Sequence, residues 1–360
     1  MSLGFDAWLY IVQNLLRSSC GQIMTNMRIP IITNHSDKVQ LTRLSHIYFE
    51  HADLEKFRKF ADDFGFVEAK STRDRVYYRG YGRDQYVYVA LKSIDDQPRF
   101  KGPAFVAKSQ GEFEKAKKLP GAIVSDMSDG PGGGEKITFN RPDDTFFHII
   151  WGQEEQAVDL KEPTATHERV GPFNRPFEKS RRGEFQRFHP GPALVHKLGH
   201  LGYAVLDFDN ELKWYTENFS FVPSDILYHW NFSNMDVLTF MHLDLGDDYS
   251  DHHCVFLQRA APHVKKTFLH HTSFEVADFD TQLLGHDWLA KKGWHSVWGV
   301  GRHADPSGFK IEHYADGDIV NKDTPTRREV VGPLLVWGPE IPKEFGQKIT
   351  VAGMGTMADV

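Results

Sequence analysis

The chain repeats itself, and the repeat limits the folds open to it. Arg43-Leu44-Ser45-His46 matches Lys197-Leu198-Gly199-His200, and Phe64-Gly65-Phe66-Val67 matches Phe219-Ser220-Phe221-Val222, at offsets that differ by one residue. The residues between the paired motifs set the unit. Leu44 to Glu50 alternates as a strand, Asp53 opens a helix with Leu54, Phe57, Ala61 and Phe64 on one face, and Gly65 closes it. Strands follow at Phe66 to Glu68, Val76 to Arg79 and Tyr86 to Leu91, which makes a β-α-β-β-β module.

A second module follows with strands at Ala104 to Ala107, Ala122 to Ser125, Lys136 to Phe139 and Thr145 to Trp151. Its helix begins at a capping box in which Ser109 and Glu112 satisfy each other's amides. From 153 the periodicity fails and Pro, Glu, Arg and Gly dominate, as in a connection. The pattern then restarts. The third module has its first strand at His200, a helix from Asn210 to Asn218, and strands at Ile226 to His229, Val237 to Leu243 and His253 to Gln258. The fourth runs from Leu269 through a helix between Asp278 and Lys292, capped by Gly293, to strands at Trp298 to Gly301 and Phe309 to Tyr314. The expected architecture is α+β: tandem βαβββ modules forming two open, barrel-like halves. The expected division is an N-terminal extension (1–40), a first domain (41–152), a linker (153–196), a second domain (197–318) and a C-terminal tail or lid (319–360).

A chain of 360 residues with a net charge of -7 carries no electrostatic footprint for nucleic acid, and no Lys/Arg run suggests a membrane surface. No apolar run reaches transmembrane length. Phe5, Trp8, Leu9, Val12, Leu15 and Leu16 make an amphipathic stripe, expected to dock as a helix. Two cysteines, Cys20 and Cys254, are too few for a disulfide framework and fit a reducing, cytoplasmic setting.

Three strands carry the chemistry. Leu269-His270-His271-Thr272-Ser273-Phe274-Glu275-Val276 alternates as a strand yet places His271 on the face shared with Ser273 and Glu275. The His200 strand lies 71 residues earlier, and the strand Gly308 to Tyr314 places Glu312 41 residues later. Two histidines and a carboxylate from separate strands are the ligand set of a mononuclear non-haem Fe(II) site. On the Glu312 strand Lys310 and Tyr314 share the ligand's face. Beside His200 the small residues Gly202 and Ala204 are expected to leave room for a further molecule.

With these motifs the chain resembles the type I extradiol catechol dioxygenases of the vicinal oxygen chelate superfamily, particularly their fungal members. The resemblance spans roughly Leu41 to Lys343. It is carried by His196-Lys197-Leu198-Gly199-His200, Ser250-Asp251-His252-His253, Leu269 to Val276, Gly301-Arg302-His303 and Asp305-Pro306-Ser307-Gly308 leading into Glu312. It implies the vicinal oxygen chelate fold, with His200, His271 and Glu312 as ligands of Fe(II), or of Mn(II) in its place. It implies His253 as an acid/base histidine and His303 as a histidine on the substrate side. It further implies a catechol-type substrate cleaved beside its hydroxyls with dioxygen, a metal-free N-terminal half, and a homo-oligomer. The chain departs from the pattern in one place. Only Ala304 separates Gly301-Arg302-His303 from Asp305-Pro306-Ser307-Gly308, so the last module is expected to lack one strand. The competing readings are a metal-dependent lyase or isomerase of the same superfamily and a non-catalytic small-molecule binder.

Overall fold

The computed structural model describes residues 27–158, 167–168 and 172–331. The N-terminal stripe, Cys20 and the tail beyond 331 lie outside the described residues. The first module comprises β1 (Leu41–His51), α1 (Leu54–Phe64), β2 (Val67–Ser71), β3 (Arg75–Arg79) and β4 (Tyr88–Lys92). The second comprises β5 (Arg99–Ala107), α2 (Gln110–Ala116), β6 (Ile123–Asp126), β7 (Glu135–Asn140) and β8 (Phe146–Trp151). Together they form an eight-stranded sheet ordered β2-β3-β4-β1-β5-β8-β7-β6, joined at its centre by the antiparallel pair β1 and β5. A short ribbon, β9 (His167–Glu168) with β10 (Arg187–Phe188), lies in the connection.

The third module follows with β11 (Leu198–Val205), α3 (Phe208–Asn218), β12 (Phe221–His229), β13 (Phe232–Leu243), the short β14 (Ser250–Asp251) and β15 (Val255–Arg259). The fourth has β16 (Phe268–Glu275), α4 (Phe279–Lys291), β17 (Ser296–Trp298), β18 (Arg302–Ala304) and β19 (Lys310–Tyr314). The chain then adds β20 (Ile319–Val320), which pairs with β14, and β21 (Arg327–Val330), which extends the sheet alongside β12. The nine-stranded sheet is ordered β17-β18-β19-β16-β11-β15-β13-β12-β21, with β11 and β16 repeating the central antiparallel join.

The helices start where the sequence places their caps. Asp53, Ser109, Asp207 and Asp278 each accept a hydrogen bond from the backbone N–H three residues on. Gly65 ends α1 at φ 101°, a left-handed conformation that a side chain would strain. The capping box at α2 forms by half. Glu112 reaches past Ser109 to accept from the Gln40 backbone N–H at 2.8 Å, tying α2 to the residue before β1.

The missing strand is corrected by the structure. After α4 the last module keeps three strands, and the shortage falls on length: β17 and β18 have three residues each. Gly301-Arg302-His303 supplies β18 itself, closing a hairpin onto β19 with Ala304 opposite Lys310.

The two sheets share one hydrophobic core. The first module packs on the last: Phe64 stacks on His313 at 3.7 Å, and Asp63 accepts from the indole N–H groups of Trp288 and Trp294 at 3.0 and 2.9 Å. The second module packs on the third, where Phe147 stacks on Phe219 and buried Arg141 donates to Glu211 at 2.9 Å. Arg141 also lies 3.6 Å from the centre of the Tyr203 ring. Cys254 is buried, which raises its thiol pKa and leaves it a packing residue.

Asp305, in the β18–β19 hairpin, accepts from the backbone N–H groups of Ser307 and Phe309, and its other oxygen lies 4.0 Å from His51 of β1. Burial pushes its pKa up from 3.8 to about 7, against the pull of its backbone donors. A carboxyl with a raised folded pKa contributes stability that is present below the unfolded value and lost as pH climbs through the folded one. Asp305→Asn keeps the accepting oxygen and removes the ionisation. The variant is expected to gain on the parent by a few kcal/mol between roughly pH 4 and 8 in denaturant titrations. A pH-independent difference would contradict this.

Candidate metal centre

Register brings the expected ligands together. β11 lies antiparallel to β16 with His200 opposite Ser273; β16 lies parallel to β19 with Ser273 beside Glu312; β19 lies antiparallel to β18 with Glu312 opposite Arg302. One row across four strands therefore reads His200, Ser273, Glu312, Arg302. His271, two residues before Ser273, projects from the same face, opposite Gly202.

His271 Nε2 lies 3.1 Å from Glu312 Oε2 and 3.4 Å from His200 Nε2, and His200 Nε2 lies 3.8 Å from the same carboxylate oxygen. Among the described residues this is the one group of three such side chains able to hold a metal ion. The separations suit three donors on one side of an ion with bonds near ~2.1 Å, which puts neighbouring donors roughly 3 Å apart. The remaining atoms are engaged in ways that orient the three. Ser273 Oγ donates to Glu312 Oε2 at 3.0 Å, Arg302 Nε donates to Glu312 Oε1 at 2.9 Å, and His271 Nδ1 meets His270 Nδ1 at 2.7 Å.

The charges suit a cation. Burial would raise the Glu312 pKa, but Arg302 and His271 outweigh it and hold the carboxyl well below its usual range. Burial lowers His200 to about 3 and also lowers His271, so both rings stay neutral and can offer a lone pair. His253 packs its ring 4.2 Å from that of His200, and its Nδ1 lies 3.1 Å from His252 Nδ1. Burial, then His200, keeps its pKa well below 6.5.

Two expectations meet a different arrangement. The space beside His200 is filled from across the sheet: a Cβ on Gly202 would lie 1.8 Å from the Phe256 ring, and one on Gly199 2.0 Å from the Tyr314 hydroxyl. These glycines admit aromatic rings. His303 is not brought to the centre. It lies opposite Ile311, on the other face of β18, and its Nε2 lies 3.2 Å from His286 of α4. Its neighbour Arg302 takes the place on the ligand face; a strand expected to end at Gly301 gives Arg302 no face. Once a strand is assigned to Gly301-Arg302-His303, alternation alone identifies it.

The first half carries the same row with a different set of side chains. His46 lies opposite Ala104, which lies beside His148, which lies opposite Thr138. No carboxylate stands in this row. His148 uses both ring nitrogens, on Thr138 at 2.9 Å and the Lys101 carbonyl at 2.8 Å, and His46 is bonded to Ser45 and Tyr48.

The paired modules define a vicinal oxygen chelate fold, with a candidate two-histidine, one-carboxylate metal site in its second half. The chain matches no protein-family model. In sequence it is similar to metapyrocatechase 2 of Cupriavidus necator, 23% identical over 328 residues that cover 84% of this chain and 90% of that protein. In structure it is similar to the Mn(II)-bound glyoxalase of Novosphingobium aromaticivorans, with a TM-score of 0.66 and 17% identity over 88% of this chain and 97% of that one. It is likewise similar to homoprotocatechuate 2,3-dioxygenase of Brevibacterium fuscum in complex with 3,4-dihydroxyphenylacetate, with a TM-score of 0.65 and 15% identity over 89% and 95% of the two chains.

The placements set His271 in the cluster and His303, expected on the substrate side, away from it. His271→Ala is expected to abolish stoichiometric binding of any divalent ion the parent takes up in equilibrium dialysis, whereas His303→Gln keeps it. Loss of the metal in the His303 variant alone would reverse the assignment.

Proposed function

We propose that this chain is a metal-dependent extradiol dioxygenase acting on a catechol-type substrate, with Fe(II) at His200, His271 and Glu312 and Mn(II) as the alternative ion. The observation that carries the reading is the convergence of those three side chains on one sheet face with the neutral His253 imidazole against His200. The relatives named metapyrocatechase and homoprotocatechuate 2,3-dioxygenase support it. A divalent ion held by His200, His271 and Glu312 would supply Lewis acidity toward the catechol hydroxyls, whose protons are otherwise held at a pKa of about 10.

The chain's own residues do the rest. Glu312 contributes the negative charge, and Ser273 and Arg302 fix its two oxygens. His270 fixes the His271 ring through Nδ1 and leaves Nε2 for the ion. His253 engages His252 through Nδ1, so a substrate proton passes to and from Nε2. Phe240, 4.7 Å from the His253 ring, and Phe256 set that imidazole beside apolar rings. The reading includes a homo-oligomer in the cytoplasm with no nucleic-acid or membrane partner. Among the described residues no helix is long and apolar enough to cross a membrane.

The similarity to a Mn(II)-bound glyoxalase favours a second reading, a lyase or isomerase, which would turn over without consuming oxygen. Anaerobic loading with Fe(II), followed by catechols and then air, separates the two. The dioxygenase takes up one O2 per catechol and forms a yellow ring-fission product; catechol left intact with no oxygen uptake contradicts the proposal. His253→Gln is expected to keep its iron and lose roughly 10²- to 10⁴-fold in turnover, the usual range for a proton-transfer group.

A further inference from the structure

The ligand face of the second sheet carries two cationic side chains beside the three candidate ligands, Arg302 part-buried and Lys310 buried. Arg302 stands opposite Glu312 in the β18–β19 hairpin and holds Glu312 Oε1 at 2.9 Å. Lys310 lies two residues before Glu312 on the same strand face and is 7% exposed. Their charges reach the cluster: Arg302 acts on His200, His271 and Glu312, and Lys310 acts on His271. The corresponding row of the first half has neutral Thr138 where the second has Arg302. Arg302 is therefore a feature of the candidate centre and not of the repeated module.

The electrostatic consequence has a definite sign. Glu312 is the one anionic donor of the three, and Arg302 offsets its charge at a distance where little water intervenes. An ion held there sees a donor set close to neutral, with a second cation nearby. Adding a third positive charge to that ion is disfavoured more than adding it in water, because fixed cations in a buried site are poorly screened. The hydrogen bond that orients Glu312 and the charge that opposes oxidation come from one side chain.

We infer that Arg302, supported by Lys310, holds an iron bound at His200, His271 and Glu312 in the ferrous state. The inference rests on the proposed metal site and concerns the ion's valence, apart from turnover. The test is a mediated redox titration of the iron-loaded full chain, with the ferric form read by electron paramagnetic resonance. Arg302→Gln keeps a donor for Glu312 and removes the charge; Arg302→Lys keeps the charge. The Gln variant is expected to raise the ferric-to-ferrous ratio at a fixed potential about tenfold, a midpoint lowered by ~59 mV for a one-electron couple. The Lys variant should stay with the parent. Lys310→Met is expected to move the midpoint the same way, and it decides the matter if Arg302→Gln fails to hold iron. Unchanged midpoints in the charge-removing variants, or equal shifts for Gln and Lys, overturn the inference. Failure of the parent to take up iron overturns the proposed metal function instead.

Discussion

The second half is organised around a largely buried carboxylate that stays ionised. Glu312 sits in the sheet with little access to water, where an isolated charge is costly, and it is held ionised by what surrounds it: Arg302 on one oxygen, Ser273 and His271 on the other. The partners come from the two strands that flank β19, His271 and Ser273 from β16 and Arg302 from β18. β16, β18 and β19 must therefore keep their register for the charge to be satisfied, and a slip of one residue would turn Glu312 into the aromatic layer behind the sheet. In the same register β11 presents His200, so one pairing pattern sets both the fold's central join and the geometry of the candidate centre.

The duplicated half shows what the centre requires beyond the module. His46 and His148 stand on the row that His200 and Glu312 occupy in the second half, so the backbone repeats while the chemistry does not. Without a carboxylate, the first row closes its histidines onto hydroxyls and a carbonyl. That half instead braces the other. Its first module carries Asp63 and Phe64 against the last, holding from behind the strand that displays Glu312, since His313 donates to the Phe64 carbonyl at 2.8 Å.

Much of this was legible in the chain because short-range rules decide it. The module order followed from strand alternation, from caps such as Asp53 and Asp278, and from the matched Leu44 to His46 and Leu198 to His200. The ligands were legible because a histidine at an inward strand position is conspicuous. What escaped was long-range. Glu112 was assigned to its own capping box, yet a chain neighbour in space, Gln40, offered it a different donor. Gly202 suggested empty space, but its purpose is set by Phe256 on an adjacent strand. His303 and Arg302 exchanged places because three residues suffice for β18 once β19 is there to pair with it, and no local pattern announces so short a strand.

The central claim is that sheet register alone assembles one metal site, in one half of a duplicated fold. Its most direct test is a crystal structure of the chain grown with Fe(II) under anaerobic conditions, with anomalous data collected at the iron edge. The account predicts one strong anomalous peak within bonding distance of His200 Nε2, His271 Nε2 and the Glu312 carboxylate, and no comparable peak beside His46 and His148. A peak in the first half, or none at Glu312, would contradict it.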